Sequence, residues 1–163
     1  WISNDGLIGI TTPDGTGTLR VSTAAPTPIE AIVVDAENNG QQQLIVSDGR
    51  SAHLYILIHC WISETYDSQG EPFIFDLQNL RGRGTGVGCQ DLGDGQHLVA
   101  LQALPDGGGF VVTRTAIRME GTTALRGPSD SVPGTSLQDP VVAAAMTITC
   151  GSQSIGADGV RQP

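Results

Sequence analysis

Three cysteines, three histidines, a glycine-rich run and scattered carboxylates are the residues of this chain with chemistry to offer, and their spacing narrows that chemistry sharply. Cys60, Cys89 and Cys150 form no CxxC pair and no Cys/His ligand spacing, so a zinc site is not indicated. Each ends an apolar run, and a structural disulfide with one thiol left over is the reading for an exported chain. Pairing Cys60 with Cys89 would close a loop of roughly 29 residues, worth about 3 to 4 kcal/mol on the chain-entropy model. Three buried reduced thiols are the alternative.

The other candidates point away from catalysis. His53 and His59 share one strand face but stand about 20 Å apart along it, too far to bind one metal ion. The run from Asn79 to Gly88 alternates glycines without making a phosphate loop or a dinucleotide fingerprint, leaving Arg81 and Arg83 as possible partners for an anionic sugar or a carboxylate. No GxSxG elbow and no HExxH spacing is present. Glu30, Glu37, Glu64, Glu71 and Glu120 offer carboxylates for glycoside hydrolysis, with nothing to single out two of them.

Any of these residues must be held by short strands. Ile32–Val34 and Leu44–Val46 are β-branched runs interrupted by Asn38-Asn39-Gly40, whose positive-φ tolerance suits a tight reversal, so 31–50 reads as a β-hairpin. A second copy runs from Gly86 to Leu101, with Asp91 in the place of Asp35. The offset is roughly fifty-five residues, a spacing found in repeat arrays. Further hairpin signals flank Pro13-Asp14-Gly15 and Pro105-Asp106-Gly107, and 52–59 reads as one long strand with Leu54, Ile56 and Ile58 facing the core. Ser22–Pro28 is a linker by composition, 63–70 a polar loop, 121–140 a long Pro/Gly/Ser-rich loop, and 145–150 a strand. The expected class is all-β, a single domain over 1–163. Its hairpins form a propeller-like ring of about three units, with the C-terminal strand completing the N-terminal hairpin; a β-sandwich or open barrel is the alternative.

Composition agrees. Gly is the most frequent residue at 22 copies while aromatics make up only 4%, which favours turns and short strands over helices. A chain of 163 residues buries about 70% of its unfolded surface, enough for a core without metal. The net charge of −9, with every basic residue an arginine, argues against nucleic acid and anionic membrane partners. No apolar run approaches the roughly 18 residues needed to span a bilayer.

Val33–Gly49 (VVDAENNGQQQLIVSDG) and Val87–Leu101 (VGCQDLGDGQHLVAL) resemble the FG-GAP or VCBS-type repeats of integrin-like β-propellers. Together with TRTAIRMEG at 113–121 and TITCG at 147–151, they also resemble a group of actinobacterial exported proteins or lipoproteins bearing such repeats. The resemblance implies calcium in the first turn, held by Asp35, Glu37 and Asn39 with Gly40 in the sixth position, although Gln43 stands where a further carboxylate is expected. The second turn is one residue short, which makes Asp91 and Asp94 turn formers.

The function these readings support is a non-catalytic, secreted or cell-envelope binding or scaffold domain that meets a protein or glycan partner. Anchoring by a segment upstream of Trp1 is part of that expectation. An accessory subunit with an apolar patch at Trp1 or Trp61, and a glycan-active hydrolase, are the alternatives.

Overall fold

A computed structural model describes residues 1–21, 27–77 and 84–163. Most of the Ser22–Pro28 linker, together with Arg81 and Arg83, lies outside the described residues.

The chain is built of antiparallel hairpins in stacked layers. Strands β1 (Leu7–Thr12) and β2 (Gly15–Arg20) form the N-terminal hairpin. Next come β3 (Glu30–Val34), β4 (Gln43–Ser47), β5 (Ser51–Ile58), β6 (Trp61–Glu64) and β7 (Ile74–Asp76). With β14 (Val160–Arg161) they make a sheet in the order β14-β3-β4-β5-β6, β7 also pairing with β5. A second sheet holds β8 (Gly84–Asp91), β9 (Gln96–Asp106), β10 (Gly109–Glu120) and β11 (Thr123–Gly134) as a meander. Two short helices, α1 (Pro140–Ala144) and α2 (Ile155–Asp158), and the small pair β12 (Thr149–Cys150) with β13 (Gln153–Ser154) complete the described chain.

Three apolar clusters bind these layers. The central one joins Ile32, Val34, Ile45 and Leu54 of the first sheet to Val87, Leu98 and Ile117 of the second, so the two sheets share a core. On the far side of the first sheet, Leu44, Val46, Tyr55 and Leu57 pack against Ile8 of β1 and Ile2 beside it. On the far side of the second, Val99, Leu101 and Val112 pack against Val142 and Ala145 at α1. Strand β5 is therefore covered on both faces, whereas the sequence assigns only Leu54, Ile56 and Ile58 to the core. Ile58 in fact lies 45% exposed beside the β5–β6 turn.

The class is all-β, as the turn spacing predicts, and no described sheet closes on itself. The C-terminal strand does not complete the N-terminal hairpin: β14 pairs with β3, Val160 opposite Ala31, and just after it the Gln162 amide donates to Asn4 O. The expected loop at 121–140 is largely a twelve-residue edge strand, β11. Its polar residues pair across to β10: Thr115 with Ser129, Thr113 with Ser131, and Arg114 in a two-point contact with Asp130. Pro128 and Pro133 are tolerated because β11 is the sheet's outermost strand. The strand expected at 145–150 is reduced to Thr149–Cys150, because α1, capped by Asp139 and opened by Pro140, ends in a turn that takes up Ala145 and Met146, whose N–H groups donate to Val142 O and Ala143 O.

The disulfide joins Cys89 to Cys150, not Cys60 to Cys89. Val87 and Ile148 form a parallel bridge, so two residues further along both segments Cys89 and Cys150 lie side by side, their Cα atoms 4.6 Å apart. That bridge needs Gly86, where a Cβ would fall 2.5 Å from Thr147 O. Cys60 sits instead on the β5–β6 turn as a free thiol, over Gly17 of β2.

The bridge spans 61 residues, so replacing Cys89 and Cys150 together by alanine should lower the unfolding free energy by about 4 kcal/mol. Cys60→Ser should change it by less than about 0.5 kcal/mol. Denaturant titration of the two variants, with intact mass before and after reduction, checks both values; equal losses would contradict this pairing.

Candidate functional site

The two repeated turns form by the same local chemistry and meet in space. Asp35 accepts the backbone N–H groups of Asn39 at 3.1 Å and Gly40 at 2.9 Å, and Asp91 those of Gly93 at 2.7 Å and Gly95 at 3.1 Å. Gly40, Gly93 and Gly95 all have positive φ, which lets each chain curl around its aspartate. The β3–β4 turn then leans on the β8–β9 turn: Asn38 Nδ2 donates to Gln96 Oε1 at 2.9 Å, and Glu37 Oε1 lies 3.8 Å from His97 Nδ1. His97 Nε2 is 3.0 Å from Asp94 Oδ1, and Asp94 in turn pairs with Arg118 from β10.

Of the residues implied by the repeat resemblance, Asp35, Glu37 and Asn39 thus stand in one turn, each with partners of its own. Asp35 holds backbone amides, Asn39 Nδ2 donates to Glu37 Oε2 at 2.9 Å, and Asn39 Oδ1 accepts from Gln41 N–H. Gln43 is buried, its carbonyl accepting from Ala36 N–H and its amide donating to Gln41 O. In the place of a ninth-position ligand it serves as a strut for the turn. Asp94, which the sequence makes only a turn former, links His97 to Arg118.

The imidazole of His97 is 14% exposed and lies between two carboxylates, Asp94 on the Nε2 side and Glu37 on the Nδ1 side. Nδ1 is out of solvent reach without a hydrogen-bond partner among the described residues, so no hydroxyl or thiol sits where this imidazole would activate it. His59 lies at a surface turn 3.3 Å from Asp14, and His53 stacks on Tyr55. Glu30 lies 3.7 Å from Arg161 and Glu64 accepts the Tyr66 hydroxyl, on separate strands. Burial, with Glu64 nearby, pushes the Tyr55 phenol up to about 12.

A second feature emerges only from the stacking of the sheets. Along one face of the second sheet the cross-strand rows change from apolar to polar: Cys89, Leu98 and Ile117 align first, then Val87, Ala100 and Thr115, then Thr85, Gln102 and Thr113. The first row lies in the central core, and the last floors a cleft of about 190 Å³ that Phe75 and Asp76 of β7 overhang. Arg126 enters from β11 with its guanidinium 5.9 Å from the centre of the Phe73 ring. Thr85 Oγ1 is shielded from solvent without a hydrogen-bond partner among the described residues. Sequence reasoning missed this cleft because its parts come from five strands. The one local signal is the alternation that puts Thr113 and Thr115 on the face opposite Val112.

Comparison with known protein families, characterised proteins and solved structures finds no match to this chain. No described helix is long and apolar enough to cross a membrane.

Several turn and edge carboxylates are held below the usual carboxylate range: Asp91 by the Gly93 and Gly95 amides, Asp139 by those of Thr135 and Val141, and Asp130 by Arg114. A carboxyl group whose folded pKa is depressed stabilises the fold fully above its unfolded value of about 3.9, and that contribution disappears as pH falls through the folded value. Thermal midpoints should therefore hold from pH 7 to about 5 and decline below about pH 4. Asp91→Asn should lessen the decline; an unchanged acid limb in this variant would mean that the Asp91 turn contributes nothing.

Proposed function

We propose that the protein is a non-catalytic, extracytoplasmic binding module that holds a hydroxylated glycan in the cleft between β7 and the second sheet. The observation that carries this reading is the cleft's lining: Gln102, Thr113 and Thr115 offer amide and hydroxyl groups on its floor, with Arg126 and Asp76 at its sides. Hydroxyl groups that donate and accept, an amide that does both, and one charge of each sign make a donor–acceptor set suited to a sugar's vicinal hydroxyls. At about 190 Å³ the cleft suits roughly one ring of a chain, below the usual size of drug-like sites.

The Cys89–Cys150 bridge supports export, since disulfides persist in oxidising compartments. The matching turns at Asp35 and Asp91 support the repeat reading, each being an aspartate wrapped by glycine-bearing backbone between antiparallel strands. In this proposal the turns serve as rigid spacers, and calcium at Asp35, Glu37 and Asn39 is a testable addition. Saturating calcium at one hundred times its dissociation constant would raise stability by about 2.7 kcal/mol. With Gln43 in place of a carboxylate, no such rise is expected between chelator and calcium.

The glycan reading is tested by NMR titration with soluble oligosaccharide fragments of a cell-envelope glycan. Shifts should centre on Thr85, Gln102 and Thr113, and Gln102→Ala or Arg126→Ala should weaken binding about tenfold, the loss of about 1.4 kcal/mol expected for hydrogen bonds left unmade. Unchanged affinity in both variants would overturn it.

A further inference from the structure

We propose that a second site, the groove between the N-terminal hairpin and the outer edge of β3, binds an extended basic peptide as an added strand. Strand β14 covers only the start of that edge, with Arg161 opposite Glu30 and Val160 opposite Ala31. Gln162 N–H donates to Ile29 O at 2.8 Å, which shows that odd-numbered residues of this strand turn their backbone groups toward β14. Val33 is the next in that series. The residues that precede Val160 form α2 rather than a continuation of β14, so no described strand pairs with the outward N–H and C=O of Val33. An edge left open inside a groove is the template on which β-addition works.

The groove supplies the other half of the recognition. It encloses about 370 Å³ and is bounded by Trp1, Ile10, Val33 and Val160, with Asp158 alongside. The Trp1 indole lies directly against Gly9, where a Cβ would fall 2.1 Å from the ring, and it is 52% exposed, so it forms an apolar wall open to a partner. Asp158 accepts Ser154 N–H through Oδ2 and has no cationic partner among the described residues. In a chain of net charge −9, this carboxylate beside an apolar wall favours a partner that alternates apolar and basic residues. The peptide's main chain would pair with Val33, an apolar side chain would rest against Trp1 and Ile10, and a lysine or arginine would meet Asp158.

A synthetic nonapeptide alternating valine and lysine serves as the probe. Titration into the labelled protein should shift the Val33 amide and the Trp1 indole signals and slow Val33 amide exchange at least tenfold. Val33→Pro removes the outward donor without touching the β3–β4 ladder and should abolish the shifts, while Asp158→Asn should weaken binding about threefold to tenfold, an effect that added salt removes. Shifts centred elsewhere, or unchanged Val33 exchange in the wild type at saturation, would overturn the proposal even if Val33→Pro fails to fold. Wild-type affinity in a folded Val33→Pro would do so as well.

Discussion

The structure depends on the apolar contact between its two main sheets. Neither sheet buries its inner face alone: Leu54 and Ile45 on one side and Leu98, Ile117 and Val87 on the other are each exposed to 1% or less, and each is covered by residues of the opposite sheet. Burying a side chain of this size removes about 1.5 to 3 kcal/mol of unfavourable hydration, so this cluster outweighs the exposed ion pairs, which are worth about 1 kcal/mol or less apiece. The hydroxyl-lined cleft and the paired acidic turns both lie at the margins of this contact. The hydroxyl-lined cleft is where the core's floor continues beyond the reach of apolar partners. The paired acidic turns are where the hairpins of the two sheets meet at their ends.

The Cys89–Cys150 bridge extends the same contact to the C-terminal region. Gly86 lets the 144–148 backbone lie directly on β8, the Val87–Ile148 bridge sets the register, and the disulfide follows from that register. From there α2 and β14 return to the opposite sheet, where Ile155 joins the central cluster and Val160 pairs with Ala31. The C-terminal segment thus fastens one sheet to the other. Because it pairs with β3 only from Val160 onward, it also leaves the Val33 edge open.

Much of this was legible in the sequence where local chemistry decides the structure. The hairpins around Asn39-Gly40, Asp91–Gly95 and Asp14-Gly15 could be read because an aspartate or asparagine followed by glycine restricts the backbone to a reversal. Strand β11 was not legible. Its residues are stabilised by partners on β10, such as Arg114 for Asp130, and a Pro/Ser/Gly-rich stretch has no strand signal until those partners are in place. The disulfide is not legible for a related reason: loop length favours no pair of cysteines, and it is the contact of Ile148 with Val87 that brings Cys150 to Cys89. Helix α1 did leave a signal in Asp139-Pro140, a capping residue followed by the residue best suited to a helix's first position. The cleft had almost none, since Thr85, Gln102 and Thr113 become neighbours only through strand register.

The central claim is that the two sheets fold as one unit around a shared core. Native-state hydrogen exchange tests it most directly, by comparing the amides of Ile45 and Leu54 with those of Leu98 and Ile117 under increasing denaturant. A shared core predicts that all four converge on one global unfolding free energy with a common denaturant dependence. Two separate limits, with one sheet opening while the other stays protected, would contradict it and make the cleft between them a boundary of two independent units.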